Sequence, residues 1–500
     1  MYDTNHLISR LHAASRGHET RNFARFPARA SVTFGELFAG AERNAAALVA
    51  MGVQPGDRVA VQVHKTIEAI QLYLGTVMAG GVFLPLNTAY TTSEVAYFLG
   101  DATPRVVVCD PDRSEAIRGI SGDARVVTLD AKGNGTLTES VVGRGAFTPV
   151  ARGAQDLAAI LYTSGTTGRS KGAMLSHANL ASNSEMLKEY WRFTDQDVLI
   201  HALPIFHTHG LFVATNVALL AGAGVVFLPG FDADAILEAM PNATALMGVP
   251  TFYTRLLADE RLTRERAANM RLFISGSAPL LVETHELWEA RTGHRILERY
   301  GMTETNMSTS NPYDGERRAG TVGFPLPGVE ARIMVDGVPV PTGETGVLEV
   351  RGSNVFQGYW QMPEKTAEEL RPDGWFITGD LARMDSDGYV TIVGREKDLI
   401  ITGGFNVYPK EVESLIDDMP GVLESAVIGA PHPDFGEAVV AIVVATDPEL
   451  QADQVRETLA ADLAKFKQPK QVILVPELPR NTMGKVQKKA LREEYAGLFA

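Results

Sequence analysis

The side chains best suited to chemistry lie in the segment YTSGTTGRSKG, residues 162–172. Glycines let backbone N–H groups approach an anion closely, and Lys171 adds positive charge, so a loop of this composition can bind a polyphosphate. The spacing excludes the common P-loop GxxxxGK[ST], because Ser170 stands where that motif requires a glycine. A flexible surface loop rich in serine and glycine is the alternative that composition alone favours.

A second candidate is Lys485, on the glycine-containing loop PRNTMGKVQK (479–488). A compact ammonium group on such a loop can bridge two anions. From Leu463 to Arg492, however, eight lysine and arginine residues accompany a single acid, Glu477. A solvated basic surface is therefore the competing interpretation.

The imidazoles of His207 and His209 are two residues apart and could suggest a metal site. No third group of ligands lies near them in the sequence, so zinc is not expected. Cys109 is the only cysteine, which excludes a disulfide framework and a cysteine-rich metal site.

A regular scaffold must position these loops, and the first 230 residues alternate strand-like and helix-like patterns. Apolar runs predict strands, and a 3.6-residue period predicts one helix between them: strands at 58–63, 82–87, 105–110 and 157–161, and a helix at 66–80. This alternation predicts parallel sheets covered by helices, with ligands at the carboxyl ends of the strands.

The uncharged segment 210–231 is long enough to span a membrane. Its internal glycines and Pro229 instead favour a buried helix at about 210–221, a turn, and a strand at about 225–228.

After Pro325 the pattern changes to short strands separated by Gly, Pro and Asp turns, and the last hundred residues resume an α/β pattern. We therefore predict an α/β protein. Two parallel-type sheets with helices and a small β-rich layer form its large N-terminal domain, and a smaller α+β domain follows. A chain of 500 residues with 45% apolar residues is long enough for both.

The formal net charge is −14, which argues against nucleic acid as a partner, because a duplex partner needs a basic face. The first residues mix charges and contain no apolar run of signal-peptide length. We expect a cytoplasmic protein with no membrane partner.

Seven strings of this sequence fall in the order seen in the adenylate-forming superfamily, which includes acyl-CoA synthetases, firefly luciferase and the adenylation domains of peptide synthetases. They are YTSGTTGRSKG, LPIFHTHG (203–210), ISGSAPL (274–280), ERYGMTET (298–305), GWFITGD (374–380), GREKDLIITGGFNVYP (394–409) and PRNTMGKVQK. Together they cover nearly the whole chain, so the sequence resembles this superfamily throughout. The runs HALPIFHTHGLFVA, MGVPTFYTRLL and LERYGMTETNM resemble the malonyl-CoA synthetases within it.

The resemblance implies a ligase that needs Mg²⁺ and uses ATP and coenzyme A as co-substrates. It implies catalytic roles for Lys485, Glu304, Thr303 and His207, with Glu304 holding Mg²⁺. The ATP-binding residues that it implies are Thr163, Ser164, Gly165, Thr166, Thr167, Gly168, Lys171, Ser275, Gly276, Glu298, Tyr300, Gly301, Met302, Thr303, Asp380, Arg395 and Lys485.

The family resemblance also implies a mobile C-terminal domain. Lys397 matches the family's hinge, which divides the chain into residues 1–395 and 396–500. Gly403 and Gly404 match the loop that lines the coenzyme A tunnel. Acetylation would remove the charge of Lys485, so we expect an acetyltransferase and a deacetylase as partners.

For the substrate, the resemblance implies malonate, with methylmalonate as a further acid. A buried distal carboxylate would cost on the order of several kcal/mol without a cation, and Arg255 is the predicted partner. On an apolar helix, an arginine that extends to solvent is the alternative. The acyl pocket is predicted at His207, Thr208 and Met307.

Two alternatives remain open. One is a ligase or carrier-loading enzyme of the same fold for another small acid, although no carrier domain follows in this sequence, which favours free coenzyme A. The other is a nucleotide-binding protein without catalysis, against which the presence of all the implied charged residues argues: Lys171, Glu304, Asp380, Arg395 and Lys485.

Overall fold

The structure is a computed structural model that describes residues 2–163, 170–402, 405–481 and 484–499. It is a mixed α/β protein with several parallel and mixed sheets, so the predicted fold class is confirmed. Strands and helices are numbered below in chain order.

The strands are short, as expected for a fold with many buried parallel strands. They are β1 (Asn22–Arg25), β2 (Val32–Thr33), β3 (Arg58–Gln62), β4 (Val82–Pro85), β5 (Val106–Cys109), β6 (Arg125–Thr128), β7 (Leu157–Thr163), β8 (Lys171–Ser176), β9 (Val198–His201), β10 (Gly224–Phe227), β11 (Ala245–Gly248), β12 (Leu272–Ser275), β13 (Leu297–Met302), β14 (Asn306–Ser310), β15 (Phe324–Pro325), β16 (Val329–Val335), β17 (Val338–Pro339), β18 (Gly346–Gly352), β19 (Phe376–Met384), β20 (Val390–Arg395), β21 (Ile400–Thr402), β22 (Phe405–Val407), β23 (Val422–His432), β24 (Gly436–Ala445) and β25 (Gln471–Val475).

The helices vary from one turn to nearly five. They are α1 (His6–Ala13), α2 (Phe34–Ala50), α3 (Ile67–Met78), α4 (Thr92–Ala102), α5 (Ser114–Arg118), α6 (Thr136–Val141), α7 (His177–Tyr190), α8 (Asn216–Ala221), α9 (Ala233–Ala239), α10 (Pro250–Leu257), α11 (Val282–Thr292), α12 (Pro363–Glu369), α13 (Pro409–Asp417), α14 (Ala452–Asp462) and α15 (Lys488–Glu494). A π-helical segment, His209–Thr215, leads into α8.

Two large sheets form the scaffold of the first 325 residues. The six-stranded sheet has the order β6-β5-β3-β4-β7-β8 and is parallel except between β7 and β8. The nine-stranded sheet has the order β15-β14-β13-β12-β11-β9-β10-β1-β2 and is parallel from β13 to β1. The first four of the seven motifs follow or end strands of these two sheets, where ligands of such folds usually bind.

Helix α3 shows why these sheets form one core. It begins after Thr66, whose side chain accepts a hydrogen bond from the N–H of Ala69, as an N-cap should. Most of its residues are buried, and it belongs to an apolar cluster that also contains strand residues of both large sheets. The predicted helix at 66–80 and the strands flanking it are thus confirmed.

The β-rich layer is an antiparallel sheet with the order β17-β16-β18-β19-β20. Its buried residues Leu348, Val350 and Phe376 belong to the same apolar cluster as the two large sheets. The C-terminal sheet, β22-β21-β24-β23 with β25 beside β24, has apolar clusters of its own. Within the described ranges, no helix is both long and apolar enough to cross a membrane.

Asp197 ties together the amino ends of three neighbouring strands in the nine-stranded sheet. It precedes β9 and is buried, and its carboxylate accepts hydrogen bonds from Arg271 Nε at 2.7 Å and Nη2 at 2.8 Å. The Thr244 hydroxyl donates to it at 2.7 Å, and Arg271 and Thr244 precede β12 and β11. Burial raises the pKa of Asp197, but the Arg271 guanidinium and the hydrogen bonds outweigh this effect and lower it overall.

We expect Asp197→Asn to destabilise the large domain by about 3 kcal/mol, because it leaves the Arg271 guanidinium without its buried partner. Folding lowers the pKa of Asp197, so its ionised carboxylate stabilises the folded protein fully at pH values above the unfolded-state pKa. This stabilisation is lost as the pH falls through the folded-state pKa. Thermal melts between pH 3 and pH 7 would test this. The control is Asp195→Asn, since Asp195 pairs with Arg21 at the surface. Equal melting temperatures for the two variants at pH 7 would contradict the stabilising role proposed for the Asp197–Arg271 pair.

Candidate active site

Lys171 begins β8 and lies opposite Thr163, which ends β7. The loop between them carries the predicted phosphate-binding residues Ser164, Gly165, Thr166, Thr167 and Gly168, which lie outside the described residues. Of this motif the structure describes residues 162–163 and 170–172.

The Lys171 ammonium is engaged by a carboxylate that the sequence did not suggest. Its Nζ lies 3.0 Å from both carboxylate oxygens of Glu369, the last residue of α12. It also lies 3.1 Å from the hydroxyl of Tyr359 and 4.2 Å from the centre of that ring. The Tyr359 hydroxyl donates to Glu369 Oε2 at 2.5 Å.

Glu304 is buried on the other side of the same tyrosine. Its Oε1 lies 3.0 Å from the Tyr359 hydroxyl, and burial raises its pKa. Thr303, the preceding residue, lies in the turn between β13 and β14 and is partly buried. Within the described residues, no group of three or more His, Cys, Asp or Glu side chains is placed to hold a metal ion by itself.

Tyr300, Asp380 and Arg395 form a compact hydrogen-bonded group. The Tyr300 hydroxyl donates to Asp380 Oδ2 at 2.5 Å, and Arg395 Nε donates to Asp380 Oδ1 at 2.6 Å. Asp380 on β19 and Arg395 on β20 are paired across the β-rich sheet. Burial and the Asp380 carboxylate raise the pKa of Tyr300 well above its usual value, so its hydroxyl remains a donor.

Lys485 enters this region from the C-terminal domain. Its loop is held by Asn481, whose side chain accepts from the Lys485 N–H at 3.0 Å, and by Gly484, which has φ +75°. A Cβ on Gly484 would lie 3.7 Å from Thr251 on α10, so the loop packs against the large domain. Lys485 keeps access to solvent. The protein packed around its ammonium group removes part of its hydration, and this desolvation together with the Arg395 guanidinium lowers the pKa of Lys485.

Arg299 is the unexpected residue of the site. It lies on β13 between Glu298 and Tyr300, is 3% exposed, and packs its guanidinium against Gly276. Its Nε and Nη2 have no hydrogen-bond partner among the described residues. Burial lowers its pKa to about 9, and its charge acts on His207 and Lys485. An arginine in this state is a receptor for an anion.

Other buried polar atoms near Arg299 are also without partners in the described part of the chain. They are Thr208 Oγ1, His209 Nε2 and Ser275 Oγ. His209 Nδ1 lies 3.4 Å from the hydroxyl of Ser277, a non-glycine residue held at φ +72°. Unsatisfied polar atoms and strained backbone at one place are typical of a ligand site.

The predicted acyl-pocket residues lie on two neighbouring segments. Thr208 and Met307 are buried, and His207 is partly buried. The N–H of His209 points to His207 Nδ1 at 3.4 Å, which places the imidazole proton on Nε2. Burial, followed by the charges of Lys485 and Arg299, lowers the pKa of His207 to about 3, so the ring is neutral at physiological pH.

Some of the residues predicted from sequence do not join this group through their side chains. Glu298 turns to His285, at 3.5 Å, although it lies on the same strand as Tyr300, Gly301 and Met302. Lys397 is exposed in the turn after β20. Gly403 and Gly404 lie outside the described residues.

Arg255 is exposed on α10, with its guanidinium 5.4 Å from the centre of the Phe231 ring. This is the arrangement of an arginine that extends to solvent, and it does not favour a role as partner of a buried carboxylate. The role predicted for Arg255 stays a prediction, while Arg299 has the burial that this role requires.

Sequence reasoning missed Arg299, Tyr359 and Glu369. Arg299 lies inside the quoted ERYGMTET motif, shortly after the apolar residues of a strand, and that position was the available signal. Glu369 and Tyr359 had no such signal. They reach Lys171 only because the chain returns there 188 to 198 residues later.

The sequence matches two family models. A model of the AMP-binding enzyme family matches residues 11–360, and a model of the AMP-binding enzyme C-terminal domain matches residues 411–485. The chain belongs to the AMP-binding enzyme family. The resemblance drawn from the seven motifs is thereby confirmed.

Two crystal structures of one enzyme are similar to this chain over nearly its whole length. The ATP-bound crystal structure of MatB from Rhodopseudomonas palustris is 59% identical, covers 99% of this chain and 100% of its own, and superposes with a TM-score of 0.97. Apo MatB from the same organism has the same identity and coverage but a TM-score of 0.85. A malonate–CoA ligase from Arabidopsis thaliana is 36% identical over 88% of this chain and 78% of its own length.

The lowered pKa of Lys485 gives a direct test of its environment. An amine is acylated only in its neutral form, and a lowered pKa makes that form appear at lower pH. We expect the rate of Lys485 acetylation by acetic anhydride to rise with a midpoint below the usual lysine value. Mass spectrometry would measure the rate between pH 7 and pH 11. Exposed Lys489 on α15 is the internal control; coincident profiles for the two lysines would contradict the expectation.

Proposed function

We propose that this AMP-binding enzyme is an ATP-dependent malonate:coenzyme A ligase, with methylmalonate as a second substrate. It forms malonyl-adenylate and pyrophosphate, and then malonyl-CoA and AMP. The observation that carries the choice of a dicarboxylic acid is the buried guanidinium of Arg299, whose Nε and Nη2 have no hydrogen-bond partner among the residues that the structure describes. The similarity to MatB and to the Arabidopsis malonate–CoA ligase supports the same choice.

The energetics favour an acid with two carboxylates. A buried guanidinium with unpaired nitrogens is costly in the free enzyme, and a second carboxylate on the substrate would satisfy it. A monocarboxylic acid would leave Arg299 unpaired and place an alkyl end against it. The pocket therefore selects for the distal charge.

The first half-reaction needs positive charge more than a protein nucleophile. One oxygen of the substrate carboxylate attacks the α-phosphorus of ATP, and the bond to pyrophosphate breaks. Lys485 lies among Arg395, Asp380, Arg299 and Glu304, where an ammonium can bridge the attacking carboxylate and the α-phosphate. Asp380 and Arg395 are proposed to hold the ribose, and Tyr300 the adenine.

The residues present fit a magnesium ion at the phosphates. Glu304 is buried, burial raises its pKa, and its Oε1 lies 3.0 Å from the Tyr359 hydroxyl oxygen, whose proton is donated to Glu369. A divalent cation would stabilise its charged form, and Mg²⁺ commonly takes one or two carboxylates together with phosphate oxygens. When bound, the ion would neutralise charge on the departing pyrophosphate.

The second half-reaction requires a different arrangement. The thiol sulfur of coenzyme A attacks the acyl carbon, the bond to AMP breaks, and the thiol proton is released. We propose that residues 396–500 rotate about Lys397, which moves Lys485 away and brings Gly403 and Gly404 to the thiol. The higher TM-score to ATP-bound MatB than to apo MatB supports two arrangements of the same parts.

Two further proposals follow from the sequence. Acetylation of Lys485 by a protein acetyltransferase would stop adenylation, and a deacetylase would restore it. The enzyme is proposed to act in the cytoplasm. A ligase of the same fold for another small acid remains the alternative function.

Arg299→Met removes the charge while keeping most of the side-chain volume. We expect kcat/KM for malonate to fall at least a hundredfold, because about 3–5 kcal/mol of transition-state binding is lost. Relative use of butyrate should rise, since its methyl end no longer faces a buried cation. Pyrophosphate release assays with both acids would measure this.

The matched control for this change is Arg255→Met. If Arg299 binds substrate, the Arg299→Met variant should melt at the same temperature as the unsubstituted protein or at a higher one, because a costly buried charge is removed. If Arg299 instead stabilises the fold, the variant should melt at a lower temperature. An unchanged malonate preference in the folded Arg299 variant would contradict the proposal. Loss of the malonate preference in the Arg255 variant would instead support Arg255 as the partner of the distal carboxylate.

Lys397→Pro fixes φ at the proposed hinge. We expect ATP–pyrophosphate exchange to continue near its normal rate while thioester formation from preformed malonyl-adenylate falls at least tenfold, because only the second step needs the rotation. Lys397→Ala, which leaves φ free, is the control. Equal rates of thioester formation in the two variants would place the hinge elsewhere.

A further inference from the structure

Glu369 makes a contact that the proposed reaction does not use. We propose that Glu369 is a built-in counter-ion that holds Lys171 while the site contains no phosphate, and that the polyphosphate of ATP and the released pyrophosphate compete with it for this lysine. The inference rests on the proposed activation of an acid by ATP and is independent of which acid is used.

The contact is specific and partly shielded from solvent. Both carboxylate oxygens of Glu369 lie 3.0 Å from Lys171 Nζ, and the two side chains are 23% and 18% exposed. The Tyr359 hydroxyl donates to the same carboxylate at 2.5 Å. Burial raises the pKa of Glu369, but the hydrogen bonds from Tyr359, Lys365 and Lys171 outweigh it and lower the pKa. The carboxylate is therefore charged.

Competition follows from the number of donors on the lysine. An ammonium group has three N–H bonds. Two of those on Lys171 point to the Glu369 oxygens and one to the Tyr359 oxygen, which lies 3.1 Å away. A phosphate oxygen can accept a hydrogen bond from this ammonium only if one of these contacts is broken.

Glu369 also has a second partner to which it can move. Lys365, one turn earlier on α12, lies 2.9 Å from Glu369 Oε1 at a more exposed position. When phosphates take Lys171, the displaced carboxylate thus remains paired and is not left as a buried charge, which would be costly. The same pairing allows Glu369 to return and help pyrophosphate leave.

If Glu369 only positioned Lys171, its removal would change the affinity for pyrophosphate in the opposite direction. If Glu369 only oriented Lys171 toward phosphate, its removal would weaken pyrophosphate binding. If it competes, removal frees the lysine and strengthens binding. The sign of the change therefore distinguishes the two roles.

The test is Glu369→Gln, with magnesium pyrophosphate as the probe and calorimetry on the full chain as the measurement. We expect the Kd for pyrophosphate to fall about fivefold to tenfold, the size of a partly exposed ion pair. Pyrophosphate should also become a stronger product inhibitor. The control is Glu368→Gln, since Glu368 is exposed and pairs with Lys365.

A second pair of variants separates competition from a general change in shape. In a Lys171→Gln background, Glu369→Gln should leave the Kd unchanged, because the contested donor is gone. Melting temperatures would establish that each variant is folded.

Weaker or unchanged pyrophosphate binding in the folded single variant would overturn the inference, and so would the same gain in the Lys171→Gln background. If the unsubstituted protein bound neither ATP nor pyrophosphate, the proposed function would fail together with this inference. If the protein binds ATP but Glu369→Gln does not strengthen pyrophosphate binding, only the competing role of Glu369 is refuted and the proposed function stands.

Discussion

Positive charge held inside an acidic protein is the constraint on which the site depends. The chain carries a net charge of −14, yet Arg299, Lys485, Lys171 and Arg395 converge on one region. Concentrating cations is unfavourable unless packing elsewhere offsets it. The apolar core shared by the two large sheets and the β-rich layer supplies that stability, and it fixes the strands from which these side chains project.

The four cations divide into two classes. Lys171 and Arg395 are paired with Glu369 and Asp380, whereas Arg299 has unpaired nitrogens within the described structure and Lys485 approaches from another domain. The paired cations lie where the nucleotide is proposed to bind, Arg299 is proposed to lie at the acyl end, and Lys485 is proposed to act between the two. In the free enzyme the cations proposed to face ATP are neutralised by carboxylates, whereas the Arg299 charge proposed to face the acid is not. This difference favours a substrate with a negatively charged tail.

Sequence patterns predicted the parts of this fold that local chemistry decides. The helix at 66–80 and the strands around it follow from apolar periodicity and an N-cap threonine. The seven motifs gave the family and the segments that surround the site. Arg299 and Arg255 show where this reasoning ends. Arg255 lies in an apolar run and Arg299 lies next to Glu298, yet tertiary packing exposes the first and buries the second. Glu369 meets Lys171 through topology, which no local pattern encodes.

The construction of the C-terminal part explains how one site could serve two reactions. Its strands and helices have apolar clusters separate from the main core, so it can move without exposing the large domain's interior. Its lysine loop touches α10 near Thr251, and such a small contact is readily exchanged. The segment joining the two parts contains the turn Glu396–Asp398, in which Glu396 and Lys397 are exposed and Asp398 accepts a hydrogen bond from Arg492 of α15 at 2.7 Å. A C-terminal part with its own apolar clusters on a short connection suits the proposed rotation, in which a different surface would replace Lys485 at the acyl carbon.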